Sequence, residues 1–214
     1  MIEIPDKPPE GAQKALIEAG LLLFGQKGFD ATSTRELAAK AGVNLALIAY
    51  HFGGKDGLRR AVVGEVARRL MAVAGAPQSS DGLTPASALR RLQTILRGVA
   101  AFIGSAPEAG PVVNFALAEL ARGGPMTDLI YEGFIGPKHA ELCELWAIAG
   151  GKDAGSEEVK LSVFTMIGQV LYFRLGREIV MRKMGWTTIG PDEAGRIGDL
   201  IAENLRLLTE GERR

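Results

Sequence analysis

Cysteine occurs once in this chain, at Cys143, and histidine twice, at His51 and His139. One thiol excludes an intrachain disulfide framework, and a reducing cytoplasm is the expected compartment. With so few thiol and imidazole groups, metal and nucleophilic chemistry lack parts. No glycine-rich phosphate loop follows a strand, and the HExxH and nucleophile-elbow patterns are missing. No enzyme activity, cofactor or metal is therefore expected. Basic and acidic side chains balance at 25 each, which argues against a protein that coats nucleic acid through bulk charge. No apolar run reaches the roughly 20 residues that span a bilayer, so no membrane partner is expected. The opening MIEIPDKPPEG lacks a basic segment followed by an apolar one, and a secretory leader is not expected. An alternating strand pattern of useful length is also missing, which leaves helix as the regular structure on offer.

What is present centres on Ser33 to Leu58. Ser33-Thr34-Arg35-Glu36 fits a capping box, in which the serine hydroxyl accepts from an orphan N–H and the glutamate reaches back to the cap. Leu37, Ala38 and Ala41 then share one helical face. Gly42 suits the left-handed conformation that ends a helix abruptly. Asn44 is a good N-cap for a second helix, Leu45 to Phe52, which Gly53-Gly54 ends. Helix, glycine turn, helix is the sequence form of a helix-turn-helix, whose second helix can enter a DNA major groove. The local charge differs from the global balance. From Gln26 to Leu70, eight bases (Lys27, Arg35, Lys40, Lys55, Arg59, Arg60, Arg68, Arg69) face four acids (Asp30, Glu36, Asp56, Glu65), a surplus of +4. An ordinary solvated helical surface would explain that charge alone about as well.

As a set, Phe24, Lys27-Gly28-Phe29, Ala31-Thr32-Ser33, Leu37-Ala38, Ala41-Gly42-Val43, Tyr50-His51-Phe52 and Lys55 resemble the DNA-binding domain of the TetR family of bacterial transcription regulators, over about residues 10 to 60. The Asn44…Tyr50-His51-Phe52-Gly53 form is similar to a branch with a longer C-terminal domain. From Asn44 onward, the positions able to face DNA are Leu45, Ala46, Ala49, Tyr50 and His51, with Leu47, Ile48 and Phe52 better suited to the core. Leu45 and Ala46 would meet a thymine methyl, so base-edge hydrogen bonds must come from few residues. Thr34 and Arg35 at the start of the first of the two helices, and Lys55 after the second, are candidate phosphate contacts. The resemblance implies backbone contacts for Thr34, Tyr50, His51 and Lys55. Ala49 departs from it, because the family often has tyrosine there. Packing and capping are the plain alternative for Tyr50 and His51.

Elsewhere the period predicts a helix from about Glu10 to Lys27, with Leu16, Ala19, Gly20, Leu23 and Phe24 as its apolar stripe. Pro5, Pro8 and Pro9 oppose regular structure in an arm over residues 1–9. A long fourth helix is expected from Lys55 to Ala74, then a loop to Pro85. Further helices are expected over Pro85 to Ile103, Glu108 to Arg122 (kinked at Pro111), Thr127 to Ala149 (interrupted at Gly136-Pro137), Ser156 to Met184 and Pro191 to Leu208.

The expected fold class is all-α: an N-terminal three-helix helix-turn-helix domain over residues 1–56 and a C-terminal helical ligand-binding and dimerisation domain over residues 57–214. One three-helix reader buries little DNA, so a homodimer on a palindromic double-stranded operator is expected. Leu161, Phe164, Gly168, Leu171 and Leu175 form one candidate interface stripe; Ile197, Leu200, Ile201, Asn204, Leu205 and Leu208 form the other. Paired across two subunits, they would make a four-helix bundle. Asn114, Glu119, His139, Cys143, Trp146, Gln169, Tyr172 and Phe173 are polar or aromatic residues among apolar ones, and are the candidate lining of a pocket for a small-molecule effector. Other carboxylates read as solvated. The expected function is a dimeric, cytoplasmic transcription repressor released from its operator by that effector. The rival is a helical partner-binding protein whose helix-turn-helix is only architectural.

Overall fold

The computed structural model describes residues 9–211, and among them the only regular structure is helical. The expected N-terminal arm lies outside the described residues apart from Pro9. Packing gathers the chain into two compact units: the residues up to Met71 with Gly110–Ile135, and Ala72–Ala109 with the residues from Gly136 on. This grouping by packing cuts the chain differently from a functional division at residue 56.

The first unit contains α1 (Gly11–Lys27), α2 (Thr34–Ala41), α3 (Ala46–Phe52) and most of α4 (Lys55–Ala74). Of the expected stripe of α1, Leu16, Ala19, Gly20 and Phe24 are buried and Leu23 is only half-buried. Ile17 and Leu21 join the buried face, with Leu37 and Ala38 of α2, Ile48 of α3, and Leu58, Val62 and Val66 of α4 also in the core. Burying each of these larger side chains contributes about 1.5–3 kcal/mol. Later in the chain, α6 (Ala109–Arg122) and α7 (Pro125–Ile130) belong to this same unit. Phe115 of α6 lies fully buried with its ring centroid 6.4 Å from that of Phe24. Pro111 sits in the first turn of α6, where its missing N–H leaves no intrahelical bond unmade and no kink need follow.

The second unit contains α5 (Pro85–Ser105), α8 (Gly136–Gly150), α9 (Glu157–Leu175), α10 (Arg177–Met184) and α11 (Pro191–Gly211). Helix α5 is central: Leu92, Leu96, Ala100 and Ile103 are buried, and α8, α9 and α11 all pack on it. The interruption expected at Gly136-Pro137 takes the form of a π turn over Tyr131–Ile135, joining α7 to α8. Pro137 cannot donate to the carbonyl four residues back, and a wider turn just before it avoids that defect. The single helix expected from Ser156 to Met184 is divided at Gly176 instead. Arg177, the next residue, donates to the carbonyls of Gly104 at 2.7 Å and Ile189 at 3.3 Å, which fixes where α10 begins.

Two carboxylates that the pattern left in solvent, Glu65 and Glu141, are buried, and so is the candidate pocket residue Glu119. Each is held by arginine, as burial of a charge requires. Glu65 accepts from Arg68 and Arg69 at 2.7 Å each. Burial pushes its carboxyl up, but those hydrogen bonds prevail and hold it below the usual range. Glu141 pairs with Arg91 and with the buried Lys138, whose ammonium also donates to the Ala74 carbonyl at 3.1 Å. That last bond ties the C-terminal end of α4 to α8.

Candidate functional site

The helix-turn-helix of the first unit is held by its caps. The Ser33 hydroxyl accepts from the Glu36 N–H at 3.2 Å, and the Glu36 carboxylate accepts from the Ser33 N–H at 2.9 Å, which completes the expected capping box. Lys27 adds an ion pair to Glu36 at 2.6 Å, joining the end of α1 to the start of α2. Gly42 takes the left-handed conformation at φ +66° and turns the chain, so that the Val43 N–H bonds back to the Ala38 carbonyl. The Asn44 side chain then accepts from the Ala46 N–H at 2.8 Å and starts α3. Two short helices are thus fixed at both of their facing ends, and α1 packs against both.

On α3, Ile48 is the buried anchor, whereas Leu45, Ala46, Ala49 and Tyr50 are exposed. Tyr50 is 80% exposed, so packing does not account for it. His51 is half-buried, with its ring edge-on to Tyr50 at 4.9 Å. Arg35 is exposed and Thr34 half-exposed in the first turn of α2. The Lys55 ammonium lies 4.2 Å from the centroid of the Phe29 ring, and the Arg59 guanidinium is 4.4 Å from the same ring. Such contacts are worth about 0.5–1 kcal/mol at exposed sites and hold a cation in place. All nine candidate DNA contacts therefore fall on three consecutive segments of one unit. Phe29 as a platform for two cations was not foreseen, since its partners lie 26 and 30 positions away along the chain.

The eight candidate effector residues are divided between the two units. Asn114 and Glu119 belong to the first unit, the other six to the second. Asn114 is exposed, and both oxygens of Glu119 accept from Arg59. Trp146 is core. The His139 Nδ1 and Cys143 Sγ are 3.5 Å apart on α8, and the imidazole stacks on Phe164 with centroids 4.2 Å apart. Burial pushes the His139 pKa down and the Cys143 thiol up, so both favour their neutral forms. Gln169 accepts from Asn204 at 3.5 Å, between α9 and α11. Tyr172 and Phe173 do meet, in an apolar groove of about 470 Å³ among α9, α10 and α11. A second hollow of about 540 Å³, between residues 77–81 and the start of α8, is polar.

The first candidate interface stripe is on the surface. Leu161, Phe164, Gly168 and Leu175 are exposed and Leu171 is half-buried. The second stripe divides: Leu200 and Leu208 are exposed and Asn204 is half-buried, but Ile197, Ile201 and Leu205 are core. Those three, spaced by four, lie on the side of α11 that is turned into its own unit, so they are corrected from interface to interior.

Residues 16–62 match the family model for bacterial regulatory proteins of the tetR family, and residues 88–212 match that for the C-terminal domain of the HTH-type transcriptional dual regulator CecR. The chain is 33% identical to the dual regulator CecR of Shigella flexneri over 216 aligned positions, covering 94% of this chain and 93% of that protein. Among solved structures, AibR in complex with isovaleryl coenzyme A and operator DNA aligns with a TM-score of 0.65 at 18% identity, covering 91% of this chain and 97% of that one. AmtR of Mycobacterium smegmatis aligns with a TM-score of 0.60 at 20% identity, covering 94% and 89%.

Proposed function

The chain belongs to the TetR family of bacterial helix-turn-helix transcription regulators, and from that premise we propose a dimeric, cytoplasmic repressor that a small-molecule effector releases from a palindromic operator. Residues 1–56 would read DNA, and residues 57–214 would carry the effector site and the dimer contact. The observation that carries the reading is the exposed face of α3, capped at both ends, with Tyr50 projecting into solvent and Lys55 fixed on Phe29. Leu45, Ala46 and Ala49 suit thymine methyls and close groove contact. Thr34, Arg35, Asn44, Tyr50, His51 and Lys55 suit phosphates and base edges.

The dimer is supported by the large apolar side chains that α9 and α11 leave in water. Leu161, Phe164, Leu175, Leu200, Leu207 and Leu208 are each at least half exposed. Large apolar side chains left in water in such number suit an interaction site. An effector switches such a dimer only by binding its two arrangements with different affinity. Helix α4 would carry this change: it follows α3 directly, runs from Lys55 to Ala74, and its last carbonyl is fastened by Lys138.

Selection of bound sequences from random duplex DNA by the purified chain tests the proposal. A palindrome with half-sites about 34 Å apart, bound far more tightly than bulk DNA, is the expected result. Weak binding with no preferred sequence, abolished by modest salt, would leave only the nonspecific phosphate attraction and favour the partner-binding rival.

A further inference from the structure

The groove among α9, α10 and α11 is built rather than incidental. Helix α10 ends at Gly185, and the Trp186 N–H returns to the Met181 carbonyl at 2.9 Å, which folds the indole back over the groove. The loop that follows is fastened by Arg177 through the Ile189 carbonyl, and by Glu193, which accepts from the Gly190 N–H at 2.9 Å. The walls are apolar: Tyr172, Phe173, Ile179, Met184 and Leu200 are among them. Two cations also line the groove, Lys183 and Arg196, and no acidic side chain does. Arg196 lies over the Trp186 ring, 5.4 Å from its centroid, so its charge is held at the groove. Neither Lys183 nor Arg196 has a carboxylate partner within ion-pair distance among the described residues.

We propose that this groove binds an amphipathic carboxylate, with a medium-length acyl chain along the apolar walls and its headgroup at Lys183 and Arg196. The volume of about 470 Å³ lies in the ordinary range of small-molecule sites. A neutral apolar ligand would leave both cations unused, and a cationic one would be repelled by them. The proposal rests on the reading that this chain answers a small-molecule effector, and assigns that effector a class and a place. Tyr172 and Leu200 are also exposed on the helices α9 and α11 of the proposed dimer contact, so occupancy would be felt there.

The full-length chain should be titrated with decanoate, decanol and decyltrimethylammonium, each below its micellar concentration, by intrinsic fluorescence and by calorimetry. The chain has two tryptophans; Trp186 reports the groove, and buried Trp146 stays silent. Decanoate should bind saturably and at least tenfold more tightly than decanol, and the ammonium should not bind. The fluorescence response should vanish in Trp186→Phe. The double variant Lys183→Gln/Arg196→Gln alters exposed positions, so its fold should survive by circular dichroism. It should lose at least tenfold in decanoate affinity while decanol binding stays unchanged. Equal affinities for decanoate and decanol, or undiminished decanoate binding by the double variant, would overturn the proposal. So would no binding of either because a second copy covers the groove. Operator affinity, measured separately, keeps the two readings apart. Saturable decanoate binding with unchanged operator affinity sinks the effector role and leaves the site standing.

Discussion

Arg59 grips Glu119 across 60 positions of sequence, its Nε 3.1 Å from each carboxylate oxygen, and both side chains are largely out of water. Glu119 is thus a brace between α4 and α6. Removing one partner of a buried pair leaves the other charge stranded. Glu119→Ala should therefore destabilise the fold by about 3–5 kcal/mol, read as a lower urea midpoint. The apolar double variant Arg59→Met/Glu119→Met should recover much of that loss. A double variant as unstable as Glu119→Ala would show that the cost is a packing defect and that the charges were not what mattered.

The α1–α2 junction carries a pH dependence of known sign. The hydrogen bond from Lys27, followed by those from Ser33, pushes the Glu36 carboxyl down to about 2 from an ordinary 4.5. A depressed carboxyl stabilises the fold above its unfolded value and loses that contribution as the pH falls through its folded one. The contribution of the capping box should therefore be complete above about pH 5 and decay towards pH 2. Urea unfolding of the wild type and Glu36→Gln over that window should converge at the acid end. Parallel curves with a constant gap would sink the assignment.

Gly57, in the first turn of α4, has a neighbour that admits no substitution: a Cβ there would overlap the Phe52 carbonyl oxygen. Backbone cannot move aside as a flexible side chain can. Gly57→Ala should displace the α3–α4 turn and carry Lys55 with it, lowering both the melting temperature and the affinity for DNA. Gly42→Ala is different in kind, because at φ +66° it has open space and only conformational strain, of about 1 kcal/mol. Equal effects of the two substitutions would contradict the steric reading.

The reader was legible because its signals are local. As caps, Ser33, Glu36, Gly42, Asn44 and Gly53 act on residues within four positions of themselves, and each does what its type dictates. Helix α4 was legible for the same reason. What could not be read depends on distant partners. Glu65 and Glu141 look solvated and Glu119 looks like a pocket residue until their arginines arrive, two of them from 60 and 50 positions away. The stripes of α11 were visible, but periodicity does not say which of two apolar sides turns inward, and Ile197, Ile201 and Leu205 took the interior. The proposed effector site was the least legible. A groove is a property of three helices and a loop, and Ile179, Lys183, Trp186 and Arg196 carry no local mark of belonging to one.

Tyr50 and Lys55 separate binding from folding. Tyr50 is so exposed that Tyr50→Ala should change stability by no more than about 0.5 kcal/mol. Its operator affinity should still fall, by roughly five- to thirtyfold for a lost contact worth about 1–2 kcal/mol. Lys55→Gln should weaken all duplexes alike and reduce the slope of log affinity against log salt by about one, because one phosphate contact is lost. If both variants keep wild-type operator affinity, the α3 face is not the reading surface.

Leu200 and Ile201 are neighbours in sequence with opposite fates, and the contrast isolates the dimer. Leu200 is 58% exposed, whereas Ile201 is 3% exposed. Ile201→Glu would bury an unpaired charge and should unfold the chain. Leu200→Glu leaves the monomer's core untouched, so a normal circular dichroism spectrum and melting curve are expected. In a two-fold dimer every substitution acts twice. Combined with Leu175→Glu on α9, it places four carboxylates into the proposed contact. Loss of about 1.5–3 kcal/mol per leucine removed predicts a fall in dimer affinity well beyond a hundredfold. Sedimentation velocity should show the wild type as a dimer at micromolar concentration and Leu175→Glu/Leu200→Glu as a monomer. Operator binding should collapse with it, because a single reader keeps only half of the contacts. A double variant that sediments as a dimer with full operator affinity would move the interface off α9 and α11.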